Sequence, residues 1–356
     1  MVNKLQHFYL MVESSKDKTS KDKSILVTGG AGYIGSHVVK LLGERGERIV
    51  VLDNLSTGNE EAVLYGTLVV GDTGDPELVG RLLTEHNVDT VMHFAAHTIV
   101  PESVEDPLKY YSNNTSCTLN LLRCCQNANV NKIIFSSTAA TYGIPDDDRK
   151  PCVEELPAAP INPYGTSKLM SECMLRDLSR ASDLRHVILR YFNVAGSDPD
   201  GLIGQSTENA TLLIKVAAEV ALGKRDKLLI FGTDYPTPDG TGIRDYIHVT
   251  DLASAHLAAL DYLRAGGEST LVNVGYGKGF SVRQVIDSVT KISGKPLNVE
   301  EQPRRAGDPP ALIAAVEKIH RILDWTPRYD DIDVIVKTSL DWEERLTQRG
   351  LVKTGT

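Results

Sequence analysis

The stretch from Ser24 to Asn54, "SILVTGGAGYIGSHVVKLLGERGERIVVLDN", constrains the chain more than any other. A short apolar run, a glycine-rich turn, an amphipathic segment closed by glycine and a second apolar run predict strand, helix, strand in that order. Strands joined this way are parallel members of one sheet, because the connecting helix must pack back over a sheet face. Gly29, Gly32 and Gly35 follow the first strand in GxxGxxG spacing and open the helix, with Tyr33 and Ile34 in the same turn. Glycines allow a tight turn and close approach to a pyrophosphate, while the helix N-terminus offers N–H groups and a partial positive charge. Asp53 ends the second strand 18 residues after Gly35. A carboxylate there accepts hydrogen bonds from ribose hydroxyls and repels a 2′-phosphate, which favours NAD over NADP. The same glycines would also let helix and strand pack closely without any ligand.

The alternation continues through "LVVGD", "PELVGRLLTEHN", "DTVMHFAA", "KYYSNNTSCTLNLLRCCQNAN", "NKIIFSST", a helix containing Tyr164, and "HVILRYFN". This predicts an α/β fold, a Rossmann-type doubly wound parallel sheet, with the loops after the strands along one ligand-binding edge. After Asn193 the pattern loosens into Gly-, Pro- and Asp-rich loops, with helices at "ATLLIKVAAEVALG", "SVRQVIDSVTKISG" and "VEKIHRILD". That reads as a smaller C-terminal substrate-capping domain. The expected division is a disordered extension over 1–23, the dinucleotide-binding domain over 24–193 and the capping domain over 194–350, with part of 243–275 returning to the sheet.

Composition narrows the function. The chain has 356 residues, 41% hydrophobic and 24% charged, enough for a full core. A formal charge of −9 with no basic run excludes nucleic acid as the main partner. Five cysteines without CxxC spacing suggest neither a disulfide framework nor a metal site, and point to reduced thiols in the cytoplasm. No segment approaches the roughly 18 apolar residues of a membrane span, and the first residues lack a signal-peptide pattern.

The chemistry centres on "NPYGTSK". Asn162 is a good N-cap and Pro163 a good first helical residue, so Tyr164 and Lys168 share a helix face four residues apart. A phenol beside a fixed cation ionises more readily and can take a proton near neutrality. "FSSTAATYG" brings Ser136, Ser137 and Thr138 to the end of the fifth strand, where a hydroxyl can bond a sugar hydroxyl or the phenolate. Asp72, ending the third strand, reads as an adenine-side contact or a strand-end turn.

Together TGxxGxxG, the Ser/Thr after the fifth strand and YxxxK resemble the extended short-chain dehydrogenase/reductase family, from Ser24 to about Trp342. Within it, "VTGGAGYIGSH", "LDNLS", "HFAA", "NPYGTSKLM", "LRYFN", "IFGTDYPTPDGTGIRDYIHV" and "RRAGDPP" are similar to the UDP-glucose 4-epimerase family. The resemblance implies that Tyr164, Lys168 and Thr138 are catalytic. The sugar 4-hydroxyl is oxidised to a 4-keto sugar, which turns over and is reduced from its other face by tightly held NAD. It further implies cofactor contacts from Asn54, Asp72, Thr73, Phe94, Ala95, Ala96, Asn114, Ser137, Tyr164, Lys168 and Tyr191. UDP-sugar contacts would come from Asn193, Phe231, Arg244, Tyr246, Arg305 and Asp308, the arginines suiting a diphosphate. A homodimer built on the helices after Lys109 and at Tyr164 is also implied. Thr98 replaces a lysine common in relatives, Leu212 an Asn or His, and Leu312 a bulky pocket residue. The last leaves UDP-N-acetylglucosamine or a UDP-pentose open as substrates. A 4,6-dehydratase or decarboxylase would carry acidic residues where Ala139 and Ala140 stand, and a regulator without chemistry would be expected to lose Tyr164 or Lys168.

Overall fold

Successive residues of a strand point to opposite faces, and the first strand already shows two cores. Along β1 (Ser24–Thr28), Ile25 and Val27 enter one apolar cluster and Leu26 enters another on the opposite side. A strand buried on both faces is a continuous apolar run, which is how "SILVT" reads. The computed structural model describes residues 23–145, 150–207, 210–305 and 307–350. The extension expected over 1–23 lies outside these residues apart from Lys23.

The further strands are β2 (Arg48–Asp53), β3 (Thr67–Val70), β4 (Val88–His93), β5 (Lys132–Thr138), β6 (Arg185–Tyr191), β7 (Asn193–Ala195), β8 (Leu228–Phe231), β9 (Ile243–His248), β10 (Thr270–Val274), β11 (Gly279–Ser281), β12 (Val299–Gln302) and β13 (Ala311–Leu312). Seven of them form one parallel sheet in the order β10-β6-β5-β4-β1-β2-β3. The chain runs outward from β1 through β2 to β3, then returns to place β4 on the other side of β1. That reversal opens a crevice at the strand ends between β1 and β4. Helices Tyr33–Glu44 and Val249–Arg264 cover one face, and helices Pro76–Glu85, Cys117–Asn127 and Pro163–Ala181 cover the other. The Rossmann-type doubly wound sheet expected from the alternation is therefore present.

Beyond Asn193, β9 pairs with β7, β11 and β13 in a small mixed sheet, and β8 pairs with β12. β10 and helix Val249–Arg264 belong instead to the seven-stranded layer. One expected helix is interrupted. "KYYSNNTSCTLNLLRCCQNAN" is a short helix to Tyr110, a π-helical segment Tyr111–Ser116 and an α-helix from Cys117. The wider turn directs Asn114 into the interior, where its amide takes up four hydrogen bonds described below.

Candidate active site

The glycine turn fits a dinucleotide by its own geometry. Gly29 has φ +71, and a Cβ there would meet backbone atoms of Ala95 at 2.5 Å and 2.8 Å. A Cβ on Gly35 would meet the Gly29 carbonyl oxygen at 2.2 Å, so glycine is required at both positions. Gly32, by contrast, has only the Gly29 carbonyl oxygen nearby, at 3.3 Å. It is the N-cap of helix Tyr33–Glu44, yet no side chain caps that helix and no acidic residue lies in its first turn. An uncapped helix N-terminus with donors to spare, at the sheet's switch point, suits a pyrophosphate. Asp53 is fixed nearby: its two carboxylate oxygens accept from the Ala31 and Leu55 N–H groups, each at 2.9 Å, and retain capacity for further donors.

Other expected cofactor residues divide into two groups. Asn54 donates to Asp72 at 3.0 Å, joining the ends of β2 and β3, while the Asp72 carboxylate also accepts from the Gly74 N–H at 2.7 Å. Thr73 is buried, its carbonyl accepting from Asn120. The Phe94 and Ala95 N–H groups both donate to the Thr28 carbonyl, which sets the loop through Ala96 against the glycine turn. Three side chains point elsewhere. The Tyr33 hydroxyl donates to the Gly196 carbonyl at 2.6 Å, leaving its backbone as the part at the turn. Asn114 accepts from the His97 N–H and Asn113, and donates to the His97 carbonyl and Ser167, so its amide is fully used as a brace. Ser137 gives its hydroxyl to Glu172 at 2.6 Å, away from the cleft. On a pleated strand Ser136 faces opposite to Ser137, and it is the Ser136 hydroxyl that meets Tyr191.

The predicted helix start is as expected: Asn162 accepts from the Gly165 N–H at 2.8 Å, with Pro163 in the first turn. Tyr164 is buried and hydrogen-bonded by the Thr138 side chain, while the Tyr110 ring meets it edge-on. Burial weighs on both members of the pair. Burial pushes the Tyr164 phenol up to about 12, with the Thr138 hydrogen bond opposing. Lys168 is buried too, donating to the Ser136 carbonyl at 2.8 Å and lying over the Phe135 ring. Its ammonium is pushed down to about 7 by desolvation, with Glu172 opposing. Desolvation acts on both groups, a cost that residue spacing does not reveal.

A stability prediction follows. Between pH 7 and the ordinary lysine value, the unfolded chain holds a proton on Lys168 that the folded chain gives up, so this group favours folding increasingly as pH rises. The wild type should gain melting temperature relative to Lys168→Met from about pH 7 to about pH 10. Paired melting curves with a pH-independent difference would contradict this.

Toward the smaller sheet, Asn193 and Tyr246 are register partners on β7 and β9. With Gln205, Leu212, Lys215 and Trp342 they line a small cleft. Lys215 is committed to Glu219 and Glu343. Arg305 stacks over Phe231 at 3.7 Å, Arg244 donates to the Ile243 carbonyl, and Asp308 is exposed close by, its N–H donating to the Arg305 carbonyl. Among the described residues neither guanidinium forms an ion pair with a carboxylate, whereas neighbouring Arg304 pairs with Asp234. Leu312 sits in register with Arg244, and Thr98 is exposed.

Sequence reasoning missed Glu172 and Arg190, a bidentate buried ion pair at 2.9 Å and 2.6 Å behind the Lys168 helix. Glu172 follows Lys168 by four residues, a spacing that places it on the same face.

This arrangement can be set beside known proteins. The sequence profile of the NAD dependent epimerase/dehydratase family matches residues 25–275. A UDP-glucose 4-epimerase of Azospirillum brasilense is 54% identical over 333 residues, 93% of this chain and 95% of that protein. The crystal structure of UDP-glucose 4-epimerase from Brucella ovis in complex with NAD superposes with a TM-score of 0.87 at 45% identity, covering 90% of this chain and 98% of that one. The structure of the UDP-Glc/GlcNAc 4-epimerase from Campylobacter jejuni has a TM-score of 0.80 at 52% identity, covering 91% and 99%. With the glycine turn, the switch-point crevice and the buried Tyr–Lys helix all in one chain, the protein belongs to the NAD dependent epimerase/dehydratase family.

Proposed function

We propose that the protein is an NAD-dependent epimerase that interconverts UDP-glucose and UDP-galactose at C4 of the sugar. The observation that carries this reading is the buried helix that sets Tyr164 at Thr138 and Lys168 on the Ser136 carbonyl, at the end of β5, in a sheet whose first strand leads into an uncapped glycine turn. The chemistry that bound NAD would supply is reversible hydride transfer at the sugar, with no net redox change overall. The residues that would hold it are the Gly29–Gly35 turn with the Tyr33 and Ile34 N–H groups, Asp53 and Asn54, Asp72 and Thr73, the Phe94–Ala96 loop and Tyr191. Tyr164 removes the proton of the sugar 4-hydroxyl and restores it afterwards. Its buried phenol needs a stabilising cation to ionise near neutrality, and Lys168, one helical turn away, is the cation this chain provides. Thr138 orients the hydroxyl that loses the proton.

Arg244 and Arg305 hold the diphosphate, since cations without carboxylate partners can donate to an anion without breaking an existing pair. Asn193, Phe231, Tyr246 and Asp308 complete the nucleotide contacts. A second reading, acceptance of UDP-N-acetylhexosamines, is favoured by Leu312, whose side chain beside Arg244 leaves more room than an aromatic ring.

The protein acts as a homodimer in the cytoplasm. Val104 (62% exposed), Leu108 (73%), Leu119 and Met170 present an apolar surface on the helices near Tyr164 that a second copy would cover. All five cysteines are free thiols, in keeping with a reducing compartment. Among the described residues no helix is long and apolar enough to cross a membrane.

The test is to incubate the purified protein with UDP-galactose, and separately with UDP-N-acetylgalactosamine, without added NAD. Conversion of the first to UDP-glucose is expected, with the ratio of the two rates reporting what Leu312 admits. No conversion of either sugar, with or without NAD, would overturn the reading.

A further inference from the structure

Glu172 is fully buried at 0% exposure, and so nearly is Arg190 at 2%. Arg190 donates to both Glu172 oxygens, and Ser137 donates a third hydrogen bond to the same carboxylate. Ser137 and Arg190 are themselves register partners on β5 and β6, as are the next pair, Thr138 and Tyr191. Glu172 therefore reaches from the catalytic helix to both members of the last strand pair before the cleft. Behind it, Arg190 lies over the Tyr142 ring at 4.6 Å, and the Tyr142 hydroxyl donates to Asn273 at 2.7 Å. Asn273 donates in turn to the Cys152 carbonyl, and Cys152 is bonded to Ile313, the residue after Leu312.

A buried ion pair is poor evidence for stability, because desolvation offsets much of the attraction and an apolar pair of similar size often does as well. Its placement has to be explained by something else. We propose that Glu172, held by Arg190, is a positioning residue that locks the β5 end carrying Thr138 against the helix carrying Tyr164 and Lys168, and keeps Lys168 charged. This rests on the acid–base roles given above to those three residues.

The charge assignment is specific to Lys168. Lys168 faces Glu172 on its own helix and His93 on β4, with Tyr164 one turn before it; around them Arg190 binds Glu172, Tyr191 and Tyr110 lie near Tyr164, and Tyr142 lies against Arg190. Burial holds His93 down at about 3 and pushes Tyr142 up to about 12; Tyr110 and Tyr191 are raised as well. With His93 held neutral and Tyr110, Tyr142 and Tyr191 held protonated, a limb of the rate profile between pH 6 and 9 belongs to the Tyr164–Lys168 pair, and removing the Glu172 anion acts on its lysine member. Glu172 is the anion that keeps its proton on.

The experiment compares wild type, Glu172→Gln and the paired Glu172→Leu/Arg190→Met variant, the last removing both charges so that neither is left buried alone. For each, melting temperature, kcat and KM for UDP-galactose are measured across pH. The paired variant is expected to fold, with kcat reduced roughly ten- to a hundredfold by misplacement and KM little changed, because the arginines assigned to the diphosphate are elsewhere. In Glu172→Gln, which removes the anion alone, the fall in rate at high pH should begin about one pH unit lower, since Lys168 loses its proton sooner. A folded paired variant with wild-type kcat overturns the proposal. A fall in kcat in Glu172→Gln without movement of the alkaline limb reduces Glu172 to a structural role and equally overturns it. If wild type itself turns over neither sugar, it is the epimerase reading that fails, and the proposal with it.

Discussion

Tyr164→Phe should lower kcat by about two to four orders of magnitude while KM for the UDP-sugar changes only a few-fold. The substitution deletes one oxygen. That oxygen is where the proton of the sugar hydroxyl is received, and no other group stands in its place: Lys168 is directed to the Ser136 carbonyl, and the Tyr191 hydroxyl is engaged with Ser136. The phenol's partner is Thr138, so losing a single buried hydroxyl should cost about 1 kcal/mol of stability. A folded variant with a loss of less than tenfold would remove Tyr164 from the proton path.

Gly29→Ala should act through the backbone and be the more damaging change to the folded protein. Its φ of +71 is unfavourable for alanine, and the three atoms nearest the added methyl are backbone of Phe94 and Ala95, which has no rotamer to yield. Left-handed strain of about 1–2 kcal/mol and overpacking of about 1–3 kcal/mol act together. Gly46 provides the control, with φ +76 but nothing within 4 Å of a Cβ. Gly29→Ala is expected to lose more melting temperature than Gly46→Ala and, unlike it, to be purified with little or no NAD. Equal losses and equal NAD content would show that the close approach of the turn to the loop after β4 is unimportant.

What could be read beforehand was what is local. The glycine turn, the apolar runs of the sheet and the Asn162–Pro163 helix start each depend on residues within one or two turns, and each is where the residues placed it. The π-helical segment at Tyr111–Ser116 carries no such marker, because it arises from the demands Asn114 meets in the loop after β4 and in the helix of Ser167. Glu172 could be placed on the Lys168 face by spacing, but Arg190 becomes its partner only when β6 lies beside β5. The small sheet depends on β13, two residues long, finding β9 across the chain. Helix Ile332–Gln348 was legible and overlooked: Asp331 caps it, and Ile335, Val336, Leu340 and Leu346 form its buried stripe. The burial that pushes the Tyr164 phenol up is a property of the assembled fold, which the spacing of Tyr164 and Lys168 does not carry.

The most direct test of the central claim follows the hydrogen at C4. UDP-galactose deuterated at that carbon should be converted to UDP-glucose with the label still on C4 and none lost to water, because the hydrogen leaves and returns as hydride within one closed site. Label appearing in the solvent, with solvent hydrogen at C4 of the product, would mean that the carbon itself is deprotonated and would contradict the roles assigned to Tyr164, Lys168 and the glycine turn.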